Sequence, residues 1–225
     1  MGQKAAATII RFSPEASARL KERDPVLGKF MDLAGDIRRT GVSDPFAGLI
    51  RSIMGQQIST AAHNSIWNNF LNVFPDPSPE LIAGATDETM KSCGLSRGKA
   101  ACIREVAKRF SNGEFANLGQ LSDEEISERL TSVKGIGLWT VEMTLIFVFR
   151  RPDVLSFSDL AIRRGMRALY GIYELTREEF ERRRKIYTPF GSLASLYLWE
   201  IASGKYAGYV DPAYASKKAG ANKQA

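Results

Sequence analysis

The stretch Leu130-Thr-Ser-Val-Lys-Gly-Ile-Gly-Leu-Trp-Thr-Val-Glu142 constrains this chain more than any other. Upstream of it a charged amphipathic helix is predicted from Ser122, and downstream an apolar helix over 141–149. Lys134-Gly135-Ile136-Gly137 has to turn the backbone sharply between the two. Glycine carries no Cβ, so it permits both a sharp turn and the close approach of another molecule. Ile136 is free to tuck inward and pin the helices together. The N-terminus of the second helix then presents unpaired N–H groups and the positive end of its dipole, which suits a phosphate. Such a contact grips a nucleic-acid backbone without reading bases. An ordinary turn between two helices, where glycine is common at the helix end, accounts for the same residues.

Helical periodicity dominates the rest. Phe46, Leu49, Ile50, Ile53 and Met54 share one helix face, and Ile66, Trp67, Phe70 and Leu71 resume the pattern after a break at 55–59. Ser122 with Glu125, and Thr176 with Glu179, read as capping boxes. Pro189 is placed to open a last long helix through Leu193, Leu196 and Trp199, ending at Gly204. Only 8–12 and 154–157 read as short extended segments. The expected fold is all-α, built of many short helices.

Lys and Arg number 31 against 25 Asp and Glu, for a formal charge of +6, which fits a polyanionic partner. Cys93 and Cys102 are too few for a four-cysteine metal site or an iron–sulfur cluster. No stretch approaches the roughly 20 apolar residues of a membrane helix, and no disulfide framework is apparent. A soluble intracellular protein is expected, with a frayed basic tail over 213–225.

Beyond the hairpin, further segments fall in a telling order. Met54-Gly-Gln-Gln-Ile-Ser59 and Gly94-Leu-Ser-Arg-Gly-Lys-Ala100 precede it. Twenty-two residues after Gly137 comes Asp159, in Phe157-Ser-Asp-Leu-Ala-Ile-Arg-Arg164, and then Pro189-Phe-Gly-Ser-Leu-Ala-Ser-Leu-Tyr-Leu-Trp199. Together they resemble the HhH-GPD superfamily of DNA glycosylases, over roughly residues 40 to 205. The last segment is similar to the final helix of its 3-methyladenine DNA glycosylase II branch.

The resemblance implies a two-lobed helical helix-hairpin-helix glycosylase fold, with the active site in the cleft between lobes. One lobe is expected over 43–158, with the hairpin at about 122–149, and the other from 1–42 plus 159–212. The extra N-terminal sheet domain of the bacterial branch is expected to be absent. The implied activity is excision of alkylated bases, of the 3-methyladenine and 7-methylguanine type, from damaged double-stranded DNA by a monomer. Asp159 is the implied catalytic carboxylate. Breaking an N-glycosidic bond builds positive charge on the sugar, which a fixed carboxylate stabilises. A helix N-terminus with Arg163 and Arg164 nearby complements that charge. A plain helix N-cap is the competing reading of Asp159.

Some superfamily members carry a lysine nucleophile two residues after the second hairpin glycine. Trp139 stands there, so a Schiff base and strand cleavage are not expected. Gln57 lies where the resemblance puts the wedge that fills the gap left by a flipped base, although Gln56 and Gln57 read equally as a polar loop. Trp139, Met143 and Trp199 are implied for the base pocket, since a methylated, cationic ring stacks well on aromatic faces; core packing explains the same three. Lys134, Gly135 and Gly137 are implied DNA contacts, with Arg97, Lys99 and His63, the only histidine, as further candidates. No metal is needed for the chemistry, and the hairpin carbonyls are implied to hold a monovalent cation. Two alternatives remain at this point: a non-catalytic helix-hairpin-helix DNA-binding protein, and a mismatch glycosylase of a related branch. Asp159 speaks against the first and the missing cysteines against the second.

Overall fold

A computed structural model describes residues 7–214. Its helices start where the sequence supplies caps. Ser13, Asp24, Asp44, Ser59, Ser78, Thr86, Ser96, Ser122, Asp159 and Thr176 each accept a hydrogen bond from a first-turn N–H. Pro14, Pro25, Pro45 and Pro79 follow four of these caps, where a missing N–H costs nothing.

The described residues divide into two compact units, 7–9 with 40–150 and 10–39 with 151–214. The boundaries differ from the lobes expected from sequence: the first strand belongs with the hairpin unit, and 151–158 belong with the segment that carries Asp159.

The first unit opens with a two-stranded sheet of β1 (Ala7–Ile10) and β2 (Arg39–Val42). Helices α3 (Pro45–Met54), α4 (Thr60–Val73), α5 (Pro79–Ala83), α6 (Asp87–Ser92) and α7 (Arg97–Ser111) follow. A short 3-10 turn leads to α8 (Asp123–Thr131) and α9 (Leu138–Phe147). The apolar face read on α3 is buried throughout, alongside Phe70, Ile103, Val106, Leu130 and Val141. Helix α9 starts directly after Gly137 rather than at 141.

In the second unit, α1 (Pro14–Arg23) and α2 (Pro25–Ala34) pack with α10 (Leu160–Tyr170), α11 (Arg177–Tyr187) and α12 (Gly191–Ala202). The shared core includes Leu20, Leu27, Phe30, Met166, Phe180, Tyr187 and Leu198. Tyr170 joins its halves: its hydroxyl bonds Asp24 and lies 2.5 Å from that of Tyr187. Arg23 donates to the Ile186 carbonyl, and Arg39 pairs with Glu200.

Three local expectations are corrected, and β2 forms where no extended segment was expected. The segment 154–157 is not a strand, because hydroxyls on α12 take its backbone groups: Val154 N donates to Ser192 Oγ, and Ser195 Oγ donates to Val154 O. The Thr176 cap forms but its capping box does not, since the Glu179 carboxylate is occupied by Arg182 and Arg183. Helix α12 begins at Gly191, whose N–H is taken by Asp153, not at Pro189. Within the expected tail, Ala213 donates to Asp211 and Tyr214 lies beneath Arg164; 215–225 fall outside the described residues.

Candidate functional site

In the hairpin, Val133 and Ile136 are buried while Lys134, Gly135 and Gly137 are exposed. Ile136 N donates to Val133 O, closing a tight turn. The two glycines do different work. Gly135 has φ 102, the left-handed region that side chains resist, and a Cβ there would crowd Cys102 Sγ at 3.2 Å. Gly137 has φ −104, which any residue adopts, and a Cβ there would meet nothing within 4 Å. Gly137 is therefore open to another molecule rather than needed for the turn. It is also the N-cap of α9 and brings no capping side chain, so first-turn N–H groups face a position suited to an anion.

The loop between α3 and α4 is bound to this hairpin. Gln56 Nε2 donates to Gly135 O at 2.9 Å and to Thr140 Oγ1 at 2.8 Å. Next to it, Gln57 is exposed and has φ 56, rare for a residue with a side chain. Of the residues offered as DNA contacts, Arg97 is exposed at the start of α7. Lys99 is not so placed: its ammonium donates to Met54 O at 2.7 Å and Gln56 O at 2.9 Å, and burial pulls its pKa below the usual lysine range. His63 is half-buried, its ring bonded to Arg51 O at 3.0 Å and packed against Gly55. Burial and the Arg51 guanidinium lower its pKa, which favours the neutral imidazole. The neighbouring basic residues Arg104 and Arg109 are held by Asp87 and by Glu105 with Ser132. On α9, Trp139 is half-buried, whereas Met143 is 5% exposed and belongs to the interior. Among the described residues no group of three or more His, Cys, Asp or Glu is arranged to hold a metal.

In the second unit, Asp159 caps α10. Its Oδ1 accepts from Ile162 N at 2.9 Å, and the residue is 8% exposed. The carboxylate thus sits at the positive end of an eleven-residue helix. Arg163 lies 5.3 Å over the Phe157 ring, and Arg177 lies 4.6 Å over it. Arg164 approaches Asp211 at 3.8 Å, and Arg167 holds that carboxylate through two bonds. Burial works to raise the Asp211 pKa, but the Arg167 bonds leave it lowered overall. Trp199, on α12, is half-buried within the same unit.

The sequence alone does not show Gln56 as a structural link, and it leaves Lys99 a candidate DNA contact, whereas its ammonium is held by carbonyls of its own chain. The hint available was their spacing: both sit in short, glycine-flanked polar segments that the fold has to bring to the hairpin.

A family model described as HhH-GPD superfamily base excision DNA repair protein matches residues 50–189. The chain is similar to DNA-3-methyladenine glycosylase 1 of Schizosaccharomyces pombe, with 37% identity over 176 residues, 75% of this chain and 76% of that protein. Among solved structures it is similar to a 3-methyladenine DNA glycosylase of the same yeast in complex with abasic DNA. That match has a TM-score of 0.79 at 35% identity, and covers 87% of this chain and 99% of that one. A DNA-3-methyladenine glycosidase from Bacillus halodurans matches with a TM-score of 0.74 at 29% identity, over 88% and 95% of the two chains.

Proposed function

The chain belongs to the HhH-GPD superfamily of base excision DNA repair proteins, and from that membership we propose that it is a monofunctional DNA glycosylase. It excises alkylated bases, of the 3-methyladenine and 7-methylguanine type, from double-stranded DNA by hydrolysing the N-glycosidic bond. The observation that carries this reading is a nearly buried carboxylate, Asp159, fixed on the N-terminus of α10 downstream of an open two-glycine hairpin.

The chemistry follows from that carboxylate. The bond from the sugar C1′ to the base nitrogen breaks and its electron pair leaves with the base. An alkylated base is already cationic, so it departs neutral and needs little acid assistance. Positive charge accumulates on C1′ and the ring oxygen, and the Asp159 carboxylate stabilises it. Water then adds to C1′ and surrenders a proton to Asp159 or to solvent. The helix bond to Oδ1 holds the carboxylate in place through these steps. Trp199 offers an aromatic face to a cationic ring. Met143, being interior, is not retained as a pocket residue.

Gly137 and the first turn of α9 take a phosphate, with Lys134 and Arg97 adding positive charge nearby, and Gln57 fills the space of a flipped base. The carbonyl donors of the hairpin suit a monovalent cation, although Gly135 O already accepts from Gln56. Such a cation would add positive charge next to the bound phosphate. No helix among the described residues is long and apolar enough to cross a membrane. The protein acts as an intracellular monomer in this reading.

The test is incubation with methylated duplex DNA and identification of the bases released. Free 3-methyladenine and 7-methylguanine are expected, together with an intact abasic strand that breaks only on later alkali treatment. With Trp139 in place of the lysine nucleophile, borohydride should trap no protein–DNA adduct; trapping at an internal lysine would refute the monofunctional reading.

The hairpin has its own test. Gly137→Ala should fold normally, because φ −104 suits alanine and the methyl meets nothing in the protein. It should weaken binding to damaged and undamaged duplex alike, roughly three- to tenfold, since a phosphate contact carries no base information. Wild-type affinity for undamaged duplex at fixed salt would remove the hairpin as the anchor.

A further inference from the structure

The Lys99 ammonium is tied to two backbone carbonyls, and one of them belongs to Gln56. That carbonyl is half of the peptide joining Gln56 to Gln57, so the bond from Lys99 fixes the peptide plane from which Gln57 departs. Gln57 leaves it with φ 56, a conformation a side-chain-bearing residue seldom adopts unless its surroundings impose it. The Gln56 side chain secures the same peptide from the other direction, through Gly135 and Thr140 of the hairpin. A third hold comes from His63, whose ring packs on Gly55 and bonds Arg51 O at the end of α3. One exposed glutamine is thus carried on a loop fastened to α7, to α4 and to the hairpin, all within the first unit.

We propose that Lys99 is a positioning residue for excision: it holds Gln57 pre-set in its left-handed conformation, so that the side chain enters the base stack without reorganising the loop. This rests on the reading of Gln57 as the wedge. A loop free to sample other conformations would have to be ordered each time a base is flipped, and that ordering would subtract from the rate. Lys99 would then influence excision while contributing nothing to phosphate binding, the reverse of what a lysine in a basic, glycine-flanked segment suggests.

A double-mutant cycle on a lesion-containing duplex separates these roles. Single-turnover excision is measured for Gln57→Ala, Lys99→Met and the double variant, alongside the salt dependence of binding to undamaged duplex. Each single substitution is expected to slow excision about tenfold, and the double variant is expected to be no slower than the worse single one. The slope of log affinity against log salt should stay at the wild-type value. Multiplied losses in the double variant would overturn the proposal, because Lys99 would then act independently of Gln57. A salt slope reduced by about 0.9 would overturn it too, by making Lys99 a phosphate contact. Gln57→Ala at the wild-type rate would sink the wedge reading itself. A slowed Gln57→Ala beside an unaffected Lys99→Met would keep the wedge and reject the positioning role. If circular dichroism shows Lys99→Met to be unfolded, the same cycle with Lys99→Gln, which also removes the ammonium from the Met54 and Gln56 carbonyls, decides by the same outcomes.

Discussion

Asp159→Asn should remain folded, bind DNA as the wild type does, and release methylated bases about 100- to 1,000-fold more slowly. Asparagine caps helices as well as aspartate, so the bond from Ile162 N survives and α10 keeps its start. What disappears is the negative charge that meets the developing positive charge on the sugar. Removing one fixed electrostatic partner of that kind costs roughly 3–4 kcal/mol in the transition state. Asp159→Ala is the poorer test, because it also removes the cap and lowers stability by about 1 kcal/mol. The measurements are single-turnover excision, thermal denaturation and affinity for undamaged duplex. Excision by a folded Asp159→Asn variant at the wild-type rate would leave the residue as a helix cap and nothing more.

Gly165→Ala is expected to have the largest effect on stability. Helices α10 and α12 cross so closely that a Cβ on Gly165 would lie 2.1 Å from the Leu198 carbonyl oxygen and 2.8 Å from its carbon. Both atoms are backbone, so no rotamer change relieves the clash; the helices have to separate. A loss of about 3 kcal/mol or more follows, beyond the usual cost of an overpacked core. Denaturant unfolding should show a lower midpoint with an unchanged slope. Gly48→Ala makes a useful contrast, since its clash, 2.3 Å, is with a methyl of the Val148 side chain rather than with backbone. A Gly165→Ala midpoint equal to that of wild type would mean that the crossing is looser than described. Because α10 begins at Asp159 and α12 carries Trp199, spreading them should also slow base release in whatever protein remains folded.

Local patterns in the sequence carried much of the fold. The buried face of α3, the Ser122 cap and the inward turn of Ile136 all follow from spacing along one helix or one turn, which neighbouring residues decide. Features set by distant partners were not legible. Ser122-x-x-Glu125 and Thr176-x-x-Glu179 are the same motif, but only in the first does the glutamate return to its cap; in the second, two arginines hold it. The apolar run at 154–157 resembles a strand until α12, some forty residues on, supplies its hydrogen bonds. β2 is too short to alternate. Gly135 and Gly137 are the same letter in the sequence, yet only one needs to be glycine for its conformation. Lys99 illustrates the limit for the site: a cation beside glycines is as compatible with carbonyls of its own chain as with phosphate. Asp159 is marked in the sequence by its distance from the hairpin and its place before a helix, and the bond from Ile162 N makes it the cap of α10.

The second unit draws its core from both sides of the first. Leu20, Leu27 and Phe30 from 10–39 are covered by residues of α10, α11 and α12, and the bonds from Arg23 to Ile186 and from Arg39 to Glu200 close this loop in the chain. On the ribosome, residues 10–39 emerge with their apolar faces unpartnered and remain so while 40–150 are made. At roughly 5–20 residues per second that wait lasts on the order of ten seconds. The hairpin unit, contiguous apart from one short strand, has all of its helices before the partner of Leu20 and Phe30 exists. Synthesis therefore completes the hairpin unit before the unit bearing Asp159, and the α1–α2 segment waits through that interval with its apolar faces uncovered.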